Sequence, residues 1–263
     1  MNSLGLKAAW REGKVTVGTW VFEFNTPGIA RLVASTGVDF VIFDQEHSGF
    51  GIDTIRGLLA ETHPLDLAAL VRPPANEYHL IAPVLDAGAS GVIVPMVQTA
   101  SEAKKITDAC RYSPRGQRGA AFSVAHDDFL PGDVPSKMQA ANDAMICGVL
   151  IETAQGVENV EAIAALEGVD LVWLGFLDLS ISMGIPGQYR HPEFEKAVSR
   201  IVEVCKACKK PAGILSNDPE QAKNYIRQGF QCISYGGDIW LLQRALAEGI
   251  RSIHCGYSTI PRK

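Results

Sequence analysis

The chain has 263 residues, 47% hydrophobic and 20% charged, which is enough to bury a full core and short enough to do so as one domain. A formal net charge of −5, with Lys/Arg runs no longer than pairs such as Lys104–Lys105 and Lys209–Lys210, argues against nucleic acid or an anionic membrane as partner. The N-terminal MNSLGLKAAWREGK is charged where a secretion signal needs its apolar segment, and the six cysteines are scattered, so a cytoplasmic location is expected.

In chain order, short apolar or β-branched runs alternate with amphipathic helical patterns. Strands are predicted over 16–20, 39–43, 66–71, 91–94, 145–151, 171–175, 211–215 and 231–235. Helices are predicted between and after them, over 27–35, 52–61, 77–87, 101–109, 157–166, 192–206, 219–228 and 239–250. Ala222, Tyr225, Ile226 and Gly229 show the i, i+3, i+4, i+7 spacing of a helix packed on one side. Cys205 and Cys208 form a C-x-x-C, but with Ile201 and Val204 they share that spacing, which assigns them to an apolar helix face rather than a redox turn. The most apolar long stretch, 80–97, is broken by Asp86 and two prolines and reads as a helix end followed by a buried strand, not a membrane span.

Eight strand–helix repeats predict an α/β fold, a single (β/α)8 TIM barrel spanning 1–263. A doubly wound sheet has the same alternation. However, no G-x-G-x-x-G opens a helix after the first strand, and no nucleotide cofactor is expected. The one long irregular stretch, 111–142, is expected to be an active-site loop.

Chemistry in such a barrel gathers where strands end. Those ends offer, in turn, Trp20 and Glu23; Asp44, Gln45, Glu46 and His47; Arg72; Pro95 and Met96; Glu152; Asp178 and Ser180 just beyond Gly175; Ser216 and Asn217 just beyond Leu215; and Gly236 with Gly237. Lysine is absent from all of them, which disfavours a Schiff-base mechanism; Lys209 and Lys210 precede their strand and belong to the opposite mouth. The expected electrophile is therefore a divalent cation (Mg²⁺, Mn²⁺ or Co²⁺) held by the hard oxygens of Glu152 and Asp178. Either carboxylate taken alone serves equally well as a helix cap or an arginine partner. The other residues fit one reaction. A 2-oxo acid can chelate a cation, and the polarised carbonyl makes its C3 protons removable. Arg72 could hold the enolate oxygen and His47 could move the proton, oriented by Asp44 or Glu46. Singly, His47 reads as readily as a hydrogen-bonded loop histidine, and Arg72 as a structural ion-pair partner.

FDQEH at 43–47, VRP at 71–73, LDAGA and then VPMVQ within 85–98, RYSPRGQRG at 111–119, IET at 151–153 and GVDLVWLGFLDLS at 168–180 resemble, in that order, the class II pyruvate aldolases of the HpcH/HpaI family. The resemblance implies a metal-dependent barrel that makes or cleaves 4-hydroxy-2-oxo acids through a pyruvate enolate, with pyruvate and an aldehyde as small-molecule partners. It also implies a homohexamer, a trimer of dimers, whose last helix at 239–250 is swapped between subunits. At matching positions it makes Glu152 and Asp178 metal ligands, His47 the proton acceptor and Arg72 the enolate stabiliser. Asp86 becomes a carboxylate from a neighbouring subunit that raises the basicity of the histidine, and Trp20 an aromatic pocket wall.

The chain departs from the family pattern twice. Leu150 stands where a glutamine contacts the oxo acid, and G-F-L-D-L-S replaces G-P-(A/S)-D-L-S. Phe176 and Leu177 should narrow or dry the acceptor side and favour a less polar aldehyde. Backbone N–H groups at Leu177 and Asp178 can still receive the substrate carboxylate. With Arg72, Trp20, Gly175 and Leu215 these complete the expected substrate-binding set, and residues 120–129, including His126, are expected to shape acceptor choice. Two alternatives stay open: decarboxylation of an oxaloacetate-type 2-oxo acid at the same site, and a barrel that binds an oxo acid without turning it over.

Overall fold

Eight parallel strands close on themselves in sequence order: β1 (Thr16–Val21), β2 (Phe40–Asp44), β3 (Ala68–Arg72), β4 (Gly91–Val94), β5 (Ile146–Ile151), β6 (Leu171–Leu174), β7 (Ala212–Ser216) and β8 (Cys232–Gly237), which pairs back with β1. The computed structural model describes residues 1–255. Around the barrel run α1 (Ser3–Arg11), α2 (Ile29–Ala34), α3 (Ile52–Thr62), α4 (Tyr78–Asp86), α5 (Ala100–Cys110), α6 (Val134–Ala144), α7 (Ala154–Glu158), α8 (Val160–Ala164), α9 (Phe176–Ser182), α10 (Pro192–Ala207), α11 (Pro219–Gln228) and α12 (Asp238–His254).

Apart from the exposed Val17 of β1, the strands are buried on both faces and read as continuous apolar runs, as parallel sheets covered by helices do. Alternate residues form two cores. Phe40, Ile42, Leu70, Ile93, Leu150 and Trp173 point into the barrel, while Val41, Phe43, Val71, Val92 and Val149 point out against the helices. The inner core is stoppered at the strand starts by α1, whose Leu6 and Trp10 join it; Trp10 Nε1 donates to Thr16 Oγ1 at 2.8 Å. Helix starts follow their local chemistry. Thr99 and Glu102 form a capping box on α5, and Asp218 caps α11 ahead of Pro219. Cys205 and Cys208 lie at the end of α10, Cys205 fully buried, as the spacing predicts.

Three expectations need correction. The segment 111–142 is not irregular throughout, because Asp133 caps α6 with Pro135 in its first turn. That segment also joins α5 to β5, so it lies at the strand-start end of its own barrel, away from Glu152 and Asp178. The predicted helix 157–166 is two short helices, α7 and α8, hinged at Asn159 and beginning at the Thr153 cap directly after Glu152.

Among the described residues no helix is long and apolar enough to cross a membrane. Helix α12 buries none of its side chains and exposes Leu242, Leu246, Ile250 and Ile253 in an i, i+4, i+8, i+11 stripe. Beside it an apolar groove of about 570 Å³ opens over β1, lined by Val17, Ile29, Leu32, Val38, Leu241 and Leu242 among others.

Candidate active site

The β2–β3 register pairs Asp44 with Arg72 at the strand ends. Arg72 Nε donates to Asp44 Oδ1 at 2.6 Å, and its Nη1 lies 3.1 Å from Glu46 Oε2. Its guanidinium stacks over the Trp20 ring, 4.6 Å from the centroid, and Trp20 Nε1 is fixed by donation to Ser234 Oγ at 2.8 Å. One positive group thus has its plane set from three sides. Asp44 is fully buried, and its carboxylate also accepts the N–H groups of Glu46 at 3.2 Å and His47 at 2.9 Å. It orients His47 through the backbone of the turn and not through the imidazole. The imidazole is 59% exposed, with Nε2 3.7 Å from Glu46 Oε2.

Glu152 ends β5 almost fully buried and accepts from Met96 N–H at 2.6 Å. Met96 reaches it from a left-handed backbone position, φ 59°, at the end of β4. Burial is the main cause that lifts the Glu152 carboxyl to about 7; the Met96 N–H and Arg72 oppose the rise, while Glu46 and Asp178 add to it by repulsion. Burial likewise raises Glu46, against the pull of Arg72 and His47. Glu46 Oε2 is buried, its contact is the Arg72 ion pair, and it takes no further hydrogen bond among the described residues. Gly175 begins the turn after β6 because a Cβ there would sit 2.5 Å from Glu152 Oε2. Asp178 follows in the first turn of α9, exposed at the same mouth. Acids withdrawn from water that repel one another, and a backbone pared back to admit the Glu152 carboxylate, suit a divalent cation. Among the described residues no group of three or more His, Cys, Asp or Glu converges on one point. Glu152 and Asp178 are the carboxylates at this mouth that could hold such a cation.

A cavity of about 490 Å³ joins these parts. His47, Arg72, Glu152, Asp178, Trp20, Gly175, Phe176, Leu177 and Leu215, each expected at the site, all line it. Asp44 lies beneath, behind Arg72. Asp86 does not join them: it ends α4 at the opposite end of the barrel, paired with Arg118 Nη2 at 2.6 Å. His126 is also at that end, within reach of the Tyr112 hydroxyl at 3.3 Å and Ala121 O at 2.7 Å. Ser180 and Ser216 are spent on local turns, donating to Leu177 O and Asp218 O. Sequence reasoning missed Phe22, Trp173, Leu174, Ile239 and Trp240 in the cavity wall. The two-residue period of β1, continued from Trp20, would have pointed to Phe22.

The HpcH/HpaI aldolase/citrate lyase family profile matches residues 17–245. The chain belongs to the HpcH/HpaI aldolase/citrate lyase family. This HpcH/HpaI chain is 38% identical over 240 residues to the pyruvate aldolase of Rhizobium etli, covering 90% of this chain and 92% of that one. It is 37% identical to the 4-hydroxy-2-oxo-heptane-1,7-dioate aldolase of Shigella flexneri, covering 91% and 89%. The crystal structure of an HpcH/HpaI aldolase from Desulfitobacterium hafniense superposes with a TM-score of 0.90 at 30% identity, covering 97% of each chain. Membership of this HpcH/HpaI family makes the protein a carbon–carbon lyase on a (β/α)8 barrel.

Proposed function

We propose that the protein cleaves and forms 4-hydroxy-2-oxo acids, interconverting them with pyruvate and an aldehyde, with a divalent cation held by Glu152 and Asp178. When bound, such a cation polarises the 2-oxo group and acidifies the protons on C3. Arg72 is fixed by Asp44, Glu46 and Trp20, so its charge meets the enolate oxygen with little reorganisation. His47, exposed at the cavity edge, takes the proton from C3 and returns one to the aldehyde oxygen once the new bond forms. The first-turn N–H groups of α9, at Leu177 and Asp178, have no carbonyl within their own helix and no side-chain cap, and they can receive the substrate carboxylate. Leu150, buried beneath, supplies no hydrogen bond, so Arg72 and these amides carry substrate orientation.

The observation that carries this reading is the buried Glu152 facing Glu46 and Asp178 beside a clamped Arg72. The test is exchange of pyruvate methyl protons with solvent deuterium, followed by NMR without any aldehyde. Exchange that requires Mg²⁺, Mn²⁺ or Co²⁺ and stops on chelation is the expected result. Absence of exchange with metal present, or a borohydride-trapped pyruvate adduct, would reject it. The same reading includes a homo-oligomer. The α12 stripe and the groove over β1 would be covered by the neighbour's counterparts, and Asp86 would serve a neighbouring subunit's histidine.

A further inference from the structure

Continuing from the Trp20 ring on which Arg72 stacks, part of the cavity wall is built from aromatic rings. Trp20 and Phe22 leave β1 on the same side and stack with centroids 5.5 Å apart at 14°. Trp240, from the first turn of α12, lies against Phe22 at 5.0 Å, and Trp173 meets Trp20 edge-on at 5.9 Å. Backbone features hold this shelf. The Asp238 carboxylate accepts the N–H groups of Phe22 and Glu23 at 3.0 Å and of Phe24 at 2.8 Å, tying the end of β1 to the start of α12. Gly237 leaves room for both rings, since a Cβ there would stand 2.8 Å from Phe22 and 3.0 Å from Trp240.

The charge around the shelf is one-sided. Of the described residues lining the cavity only His47 and Arg72 can be cationic, and Arg72 is engaged by Asp44 and Glu46. Glu23, Glu152 and Asp178 line it too. With Glu152 and Asp178 given to the cation, an aldehyde carrying a carboxylate or phosphate would meet Glu23 and, among the described residues lining the cavity, no cationic side chain beyond those assigned to the pyruvate end. A hydroxylated aldehyde would exchange water for ring faces and leave its hydroxyls without partners. An aryl or alkyl group loses nothing by that exchange and gains ring contact.

We infer that the acceptor subsite takes a neutral apolar aldehyde, aryl aldehydes above all, and that Phe22 and Trp240 set this preference. The inference rests on the aldol reading and adds the acceptor class to it. In the reaction pyruvate C3 loses a proton, and its electron pair forms the bond to the aldehyde carbon. The carbonyl π pair moves to the aldehyde oxygen, which takes up a proton. The product, a 4-aryl-4-hydroxy-2-oxo acid, contains every atom of the two reactants, so no oxidant or reductant enters.

The test measures two quantities on the full-length protein with Mn²⁺. Deuterium uptake by pyruvate alone reports the enolisation reading. Initial rates of addition then give kcat/KM for benzaldehyde, hexanal, glycolaldehyde and succinic semialdehyde. Benzaldehyde and hexanal are expected to exceed the other two by about tenfold or more, the scale on which pocket fit discriminates. Trp240→Ala and Phe22→Ser should each shrink the benzaldehyde-to-glycolaldehyde ratio, mainly through the KM of benzaldehyde, and Trp240→Phe should retain it. Exchange accompanied by a preference for the charged or hydroxylated aldehydes, or by an unchanged ratio in either folded variant, would overturn the inference and leave the aldol reading standing. No exchange at all would remove the reading itself and the inference with it.

Discussion

Glu152 couples the site to pH in a direction that can be worked out. Its carboxyl, at about 7 in the fold, lies above the ordinary 4.5. The folded chain therefore holds this proton more tightly than the unfolded one. The associated stability is complete below about pH 4.5 and is lost as pH rises through about 7. The shift corresponds to a difference on the order of 3 kcal/mol. In chelator, Glu152→Gln should gain on wild type as pH rises from 5 to 8, read as an increase in the variant's melting temperature minus that of wild type. A constant gap would mean that Glu152 does not titrate there. Arg72→Lys tests the clamp beside it. An ammonium cannot span Asp44 and Glu46 while stacking on Trp20, so deuterium exchange should fall by about 10- to 100-fold with charge retained. Full exchange would make Arg72 a structural ion-pair partner only.

How the elements aim these residues explains what the sequence could and could not reveal. All eight strands were legible because buried parallel strands are apolar runs bounded by turn signals, and their ends supplied His47, Arg72, Glu152 and Asp178. Helix α1 escaped notice because its apolar positions, Leu6, Ala9 and Trp10, are few and interleaved with charges. Helix α9 was hidden because its first turn, Phe176 to Asp178, reads as the tail of β6. The roles of Glu46 and Trp240 depend on what faces them across the barrel, which no local pattern encodes. Gly175 belongs to this scale, since its lack of a side chain lets the β6–α9 turn approach β5. Gly175→Ala would place a Cβ 2.8 Å from that of Glu152, too close for a side-chain rotation to relieve. Cation affinity should drop about tenfold or more, about 1.4 kcal/mol by titration calorimetry with Mn²⁺. Unchanged affinity would separate Glu152 from the metal.

One barrel places the residues proposed for catalysis at opposite ends: His47 and Arg72 at the strand ends, Asp86 at the end of α4. Asp86 is half-exposed although paired with Arg118, so a carboxylate edge remains available to another chain. The exposed stripe of α12 and the groove over β1 supply apolar surface from which an assembly could be built, and charge placed there should dissolve it. Leu246→Glu with Ile253→Glu is expected to lower the mass measured by light scattering to that of a smaller species, with loss of exchange activity despite every residue at the His47 mouth being intact. A complementation experiment separates a shared site from mere loss of stability. Asp86→Asn and His47→Ala chains, each impaired alone, should recover exchange when unfolded and refolded together, because mixed assemblies contain pockets with an intact His47 from one subunit and an intact Asp86 from another. If refolded mixtures show only the sum of the separate activities while light scattering shows a multimer, Asp86 acts within its own chain or not at all, and the pocket is complete in one barrel.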